Sequence, residues 1–251
     1  MDKNLEVYNS KHVVSWYARL REIIPVERAV FETYKRLLQQ GDVLDIGIGG
    51  GRTTSYLLPV SKNYTGIDYS ESFIATVKHN YPDAAFFVMD ARDLSGFKNE
   101  SFDLVNFSFN GIDYVDKEGR EKIISEVTRI LKPGGIFFFS THNKNHRNFN
   151  TSPWLNKNNS LFTNIKTFIK LLPFFAKKRK QKREEIFTED YAIINDSAHN
   201  YGLMTFYTSP ELLRKQLLDA GLSEVVFLAK TGEERSDADL DDWIFATAKK
   251  T

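Results

Sequence analysis

The stretch Asp42 to Thr54, DVLDIGIGGGRTT, limits the folds open to this chain more than any other. Val43, Leu44 and Ile46 read as a strand covered on both faces, as in a parallel sheet. Gly47, Gly49, Gly50 and Gly51 follow, and without Cβ atoms they let the backbone turn sharply and come close to a ligand. A helix then begins near Thr53. The spacing narrows the ligand: the glycines fall as G-x-G-G-G, and Arg52 stands where the dinucleotide fingerprint G-x-G-x-x-G has its last glycine. Asp45, two residues before Gly47, would repel a pyrophosphate and suits a ligand with an ammonium group.

The rest of the chain alternates strands and helices. Helices over Lys11 to Leu20 and from Pro25 through Leu38 precede the first strand. Asn63 to Ile67 is a second strand that stops at Asp68, about 20 residues past the first glycines, where a doubly wound sheet carries the acid that accepts from ribose hydroxyls. Asp68 can also be read as a helix N-cap, but Ser70 already fits that role before the helix Glu71 to Asn80. A third strand, Ala85 to Met89, runs into Asp90 and Ala91. A fourth, Phe102 to Phe107, ends at Ser108, Phe109 and Asn110. The helix Lys117 to Leu131 stops at LKPGG, and a fifth strand, Ile136 to Ser140, ends beside Thr141, His142 and Asn143. Ser209 and Pro210 open a last long helix. Strands Ser223 to Ala229 and Asp242 to Lys249 then close the chain, with the acidic loop TGEERSDADLDD between them.

In that order, D-x-G-x-G-x-G at Asp45, Gly47, Gly49 and Gly51, YTGIDYSESFI around Asp68, the acid and small residue Asp90-Ala91, LKPGG, and the helix-strand-strand ending resemble the class I S-adenosylmethionine-dependent methyltransferases, in their small-molecule branch. The resemblance runs from about Gly41 to Gly135 and resumes near Tyr207. It implies an α/β Rossmann-like, doubly wound sheet of seven strands in the order 3-2-1-4-5-7-6, the last antiparallel. It also implies one methyltransferase domain over 1–251, with N-terminal helices over 1–40 and a helical cap over 144–205 inserted after strand five. The implied cofactor is S-adenosyl-L-methionine, released as S-adenosyl-L-homocysteine. Asp68 would hold its ribose, Tyr69 would lie along the adenosine, Asp90 and the Ala91 N–H would meet the adenine, and Phe107 and Ser108 would face its methionine half. The N-terminal segment would pack over the cofactor, which makes Tyr8, Trp16 and Tyr17 pocket residues, with Tyr17 against the cofactor; helix packing explains each of them equally.

Catalytic candidates are fewer. In-line transfer of a sulfonium methyl group needs chiefly alignment, and a base only where the acceptor must lose a proton. His142, at the end of strand five, is the best general-base candidate, and His199, in the segment DSAHNYGLMTFY, is the second; His142 can also be read as a histidine that only hydrogen-bonds its surroundings. Asn110 suits orienting a polar acceptor or the turn chemistry of Asn-Gly. Tyr114, Asn143, Tyr201 and Tyr207 complete the acceptor set, and no metal site is expected.

Formal net charge is +1, so no global field gathers nucleic acid, and nothing resembles an RNA-binding segment. The chain has no cysteine and no leader-like N-terminus, which points to a cytoplasmic protein without stable membrane insertion, monomeric or homodimeric. The acceptor is expected to be a small polar metabolite, neutral or anionic: a sugar, sugar nucleotide or phosphorylated precursor of a bacterial surface polysaccharide or natural product, methylated at an oxygen or nitrogen. Alternatives are a lipid or quinone acceptor at a membrane surface, suggested by the apolar stripe over Leu161 to Leu172 and the basic run Lys177 to Arg183, or a cofactor-binding regulator without turnover.

Overall fold

The computed structural model describes residues 2–155, 159–236 and 241–251. Four parallel strands follow the expected apolar runs: β1 (Asp42–Ile46), β2 (Asn63–Asp68), β3 (Ala85–Val88) and β4 (Phe102–Phe107). β5 (Leu131–Asn143) is longer than expected, because Lys132-Pro133-Gly134-Gly135 continues as strand. Its ladder with β4 slips there, Phe102 facing Leu131 while Leu104 faces Ile136. Lys132 fastens that end of the sheet, its Nζ lying 2.7 Å from Asp42 and 2.6 Å from Asp103. With β9 (Leu222–Leu228) and β10 (Trp243–Lys250), the sheet runs β3-β2-β1-β4-β5-β10-β9, and β10 is antiparallel to both of its neighbours. This is the expected order 3-2-1-4-5-7-6.

Helices α1 (Asp2–Tyr8), α2 (Lys11–Tyr17), α3 (Pro25–Thr33) and α4 (Lys35–Gln40) precede the sheet, and α1 had no counterpart in the expected elements. The helix expected from Pro25 through Leu38 breaks at Tyr34, where ψ swings to 17°. α5 (Thr54–Val60), α6 (Glu71–Asn80), α7 (Lys117–Ile130) and α10 (Pro210–Asp219) cover the sheet. Ser70 and Ser209 cap α6 and α10, their hydroxyls accepting from Phe73 N–H and Leu212 N–H.

Successive side chains of β5 point to opposite faces. Phe137 and Phe139 stack in one core layer with Ile123, Val127 and Leu217 of α7 and α10, while Phe138 enters the other layer with Val30 and Phe31 of α3. Each such fully buried aromatic contributes roughly 1.5–3 kcal/mol.

The expected helical cap needs correction. Between β5 and α10 the chain forms α8 (Leu161–Leu171) and α9 (Phe175–Gln181), but then three strands, β6 (Ile186–Phe187), β7 (Tyr191–Ile194) and β8 (Thr205–Thr208). β8 runs parallel to the end of β5, His142 opposite Tyr207, and β7 and β6 follow as an antiparallel extension. β4 pairs with β5 only as far as Phe139, so the last residues of β5 would otherwise have an unpaired edge. Part of the acidic loop between β9 and β10, residues 237–240, lies outside the described residues. Among the described residues, no helix is long and apolar enough to cross a membrane.

Candidate functional site

At the carboxyl ends of β1 to β4 lies an open cavity. Its floor is the glycine turn. Gly47 and Gly49 have φ of +65° and +52°, and a Cβ on Gly47 would stand 2.8 Å from the Phe107 ring. Gly50 is approached from above, since a Cβ there would stand 2.5 Å from the carbonyl of Tyr17. The end of α2 therefore rests directly on the turn. Gly50→Ala is expected to push that segment away at a cost of about 1–3 kcal/mol. Limited proteolysis would show faster cleavage within residues 1–24; unchanged cleavage would mean that the contact does not hold the segment.

The glycines divide in role. Gly47 and Gly49 are on the cavity wall, whereas Gly51 is not. Its N–H donates to the Ile48 carbonyl at 2.9 Å and its Cα faces Val77 of α6, so it closes the turn and seats it on the helix.

Asp45, expected to meet an ammonium group, is fully buried and absent from the wall. Ile46 faces the cavity, so the preceding side chain on the strand faces away from it. The Asp45 carboxylate is engaged within the protein: Oδ2 accepts from Thr53 Oγ1 (2.7 Å) and the Tyr64 hydroxyl (2.8 Å), and Oδ1 accepts from Asn106 Nδ2 (2.6 Å). Burial pushes its pKa up to about 6 against those donors.

Asp68 does face the cavity. Its Oδ2 accepts from Gly49 N–H and its Oδ1 from Ser70 N–H, both at 2.9 Å, so one carboxylate braces the glycine turn and the end of β2. Burial raises its pKa to about 6 despite these two bonds. Tyr69 lies beside it with a buried hydroxyl that has no protein partner, and burial drives that phenol up. Asp90, Ala91 and Arg92 continue the wall. Burial alone would raise the Asp90 carboxyl, but Arg92 wins and holds it low, donating from Nε at 2.9 and 3.1 Å and from its backbone N–H at 2.9 Å.

Phe107, Ser108 and Phe109 form the opposite side, and Tyr8, Tyr17 and Tyr114 the roof. The Tyr8 ring lies 6.0 Å from that of Tyr17 and 5.3 Å from that of Tyr114, and burial raises all three phenols. Trp16 is exposed instead.

The other expected residues stand beside the cavity, not on its wall. His199 is nearest: its Nε2 is 3.5 Å from the Tyr17 hydroxyl and its ring stacks on Tyr17, while burial lowers its pKa against the opposing pull of Asp196. It begins three successive non-glycine residues, His199, Asn200 and Tyr201, with φ of 47°, 58° and 58°. Left-handed backbone costs roughly 1–2 kcal/mol per such residue. Tyr201 is buried next to Phe175 of α9, and Tyr207 donates to Asp196 Oδ2 at 3.1 Å. Asn143 serves the local chain path, donating to the Asp241 carbonyl and accepting from Asn145 N–H, both at 2.9 Å. Asn110 takes the left-handed turn conformation (φ +61°), and its Nδ2 is 3.2 Å from His142 Nε2.

Two buried ion pairs escaped the sequence reading. Asp113 accepts from Arg120 Nη1 (2.7 Å), Thr141 Oγ1 (2.5 Å) and the His142 N–H (2.7 Å), with His142 Nδ1 also at 2.7 Å. Glu27 of α3 holds Arg52, Nη2 at 2.7 Å from Oε1, and also accepts from Ile24 N–H at 2.9 Å; the guanidinium lies 4.7 Å from the centre of the Phe109 ring. The one available signal was an acid at the third position of α3, a place that often reaches back to the helix start.

The comparisons agree with this geometry. A family model described as a methyltransferase domain matches residues 44–139. An uncharacterized methyltransferase of Synechocystis sp. is 39% identical over 95 residues, which is 38% of this chain and 44% of that protein. A ubiquinone biosynthesis O-methyltransferase of Hydrogenovibrio crunogenus is 27% identical over 137 residues, 53% of this chain and 55% of that one. The chain thus spans about half the length of the curated relatives it matches. Among solved structures, the 1,6-didemethyltoxoflavin-N1-methyltransferase of Burkholderia thailandensis, with S-adenosylhomocysteine bound, shares the fold with a TM-score of 0.59 at 15% identity, over 100% of this chain and 90% of that one.

Proposed function

We propose that the chain, with a methyltransferase domain matched over residues 44–139, works as a class I S-adenosylmethionine-dependent methyltransferase that transfers a methyl group to an oxygen or nitrogen of a small, polar, uncharged acceptor held beneath Tyr8, Tyr17 and Tyr114. One observation carries the reading: a single cavity joins Asp68 and Asp90 to that aromatic roof past the glycine turn, leaving cofactor and acceptor in one chamber.

Features of the cavity support a fit to S-adenosylmethionine. Asp68 is a desolvated acceptor for two ribose hydroxyls, Gly47 and Gly49 keep the floor free of side chains, and Asp90 and Ala91 offer an acceptor and an N–H to an adenine edge. When bound, the cofactor supplies a methyl group on a cationic sulfur that leaves as a neutral thioether. The chain's own contribution is alignment and exclusion of water, an effect that reaches roughly 7–11 kcal/mol in well-oriented systems. For a hydroxyl acceptor, His199 is better placed than His142 to take the proton, because it touches Tyr17 of the roof and burial favours its neutral form. Among the described wall residues the cations are Arg52 and Arg92, engaged by Glu27 and Asp90, which favours an uncharged acceptor over an anionic one. A lipid or quinone acceptor is the second reading, favoured by the ubiquinone-pathway relative and by the surface described below.

Calorimetric titration tests the cofactor half of this reading. S-adenosylhomocysteine is expected to bind and NAD not to. The affinity should also follow Asp68: above a pKa of about 6 its carboxylate accepts from the ribose, and as pH falls below 6 protonation removes that acceptor, weakening binding by up to about tenfold per pH unit. Binding of NAD alone would overturn the reading. A flat profile between pH 5 and 8 would remove Asp68 from it.

A further inference from the structure

We propose that the α8–α9 segment docks the protein on an anionic phospholipid surface. α8 is amphipathic, but its apolar face points outward. Leu161, Phe162, Ile165, Phe168, Ile169 and Leu172 fall within an arc of about 120° at 3.6 residues per turn, and they are 38–77% exposed. The edge turned to the protein is formed by Asn164, Thr167 and Leu171, of which only Leu171 is an apolar side chain and fully buried. An ordinary surface helix does the reverse, burying its apolar stripe and exposing its polar side. Contiguous apolar exposure of this kind marks a surface that another phase or molecule covers.

Charge identifies the occupant. Lys166 and Lys170 border the apolar face, and α9 and the turn after it add Lys177, Lys178, Arg179, Lys180, Lys182 and Arg183, against only Glu184 and Glu185. The segment from 161 to 187 therefore carries a net +6 in a chain whose total is +1. A helix with an outward apolar face and cations along its border is built for the boundary between acyl chains and anionic headgroups: the face enters the acyl boundary and the long lysine side chains reach up to the phosphates. A protein partner would need both an apolar groove and an acidic rim, whereas an anionic bilayer offers the two together. Phe168 of this face packs against Phe175 of α9, which contacts Tyr201, the end of the left-handed turn that starts at His199 beside the cavity roof. The docking face is thus linked through Phe175 and the turn 199–201 to Tyr17 of the cavity roof, and the proposal stands whatever the acceptor is.

Vesicle sedimentation of the full chain tests it, using phosphatidylglycerol-phosphatidylcholine vesicles beside vesicles of phosphatidylcholine alone. Sedimentation is expected only with the anionic vesicles and should fall as salt is added. Two variants change exposed side chains only: Phe162→Ser/Ile165→Ser/Ile169→Ser, and Lys177→Glu/Lys180→Glu/Arg183→Glu. Each is expected to cut the bound fraction at least about tenfold while leaving S-adenosylhomocysteine affinity unchanged. No sedimentation with anionic vesicles, or equal sedimentation with both kinds, would overturn the proposal. So would a dimer in size-exclusion chromatography that the serine variant turns into monomer, because the face would then belong to a second copy of the chain.

Discussion

Asp113→Ala is expected to cost about 3–5 kcal/mol of stability, because it strands a buried cation. Asp113 and Arg120 are both inaccessible to solvent. Arg120 Nε and Nη2 already lack protein partners, the guanidinium lies 5.1 Å from the centre of the Phe206 ring, and burial pulls its pKa down against the supporting charge of Asp113. That carboxylate also holds Thr141 and His142, so its removal loosens the end of β5 from the turn that follows β4. Urea denaturation measures the cost. The double variant Asp113→Ala/Arg120→Met should recover much of it, since it deletes the stranded charge together with its partner. A single variant within 1 kcal/mol of the parent, taken as roughly the ordinary level for a tolerated change, would show that the pair carries little weight.

Asp68→Ala is expected to weaken S-adenosylhomocysteine binding by about 100-fold or more, as hydrogen bonds to a charged acceptor contribute roughly 1.5–3 kcal/mol each. The loss has two sources, the acceptor offered to the ligand and the brace on Gly49 N–H and Ser70 N–H. Asp68→Asn separates them. It keeps one carbonyl acceptor for the turn but no charge, and its residual affinity should no longer fall between pH 7 and 5. Calorimetry on both variants reads the difference, and an Asp68→Ala protein with parental affinity would refute the ribose assignment.

The parts legible in the sequence are those dictated by local chemistry. β4 and α6 begin and end where apolar runs and a serine cap place them, and the glycine turn was readable because only glycine tolerates φ of +65° beside the Phe107 ring. The sheet order followed from the resemblance and not from periodicity. What could not be read depends on neighbours distant in the chain. Asp45 looks like a ligand-facing acid until Tyr64 and Asn106, on the adjacent strands, are seen to consume its lone pairs. Asp113 resembles a loop acid, and only folding sets Arg120 and β5 against it. β8 is four residues long and exists because β5 outruns β4, a matter of register that no local pattern encodes. The stripe of α8 was visible as helical spacing, but its outward direction was not.

The contact between Gly50 and the Tyr17 carbonyl bears on timing as much as on shape. The second helix lies against the glycine turn, and the loop 18–24 joins it to α3. A ligand held at Asp68 beneath this segment would be released at the pace at which the segment moves aside, a motion on the order of microseconds to milliseconds. Tyr17, which touches Gly50 below and His199 beside it, would then be the residue through which the amino-terminal segment governs that release.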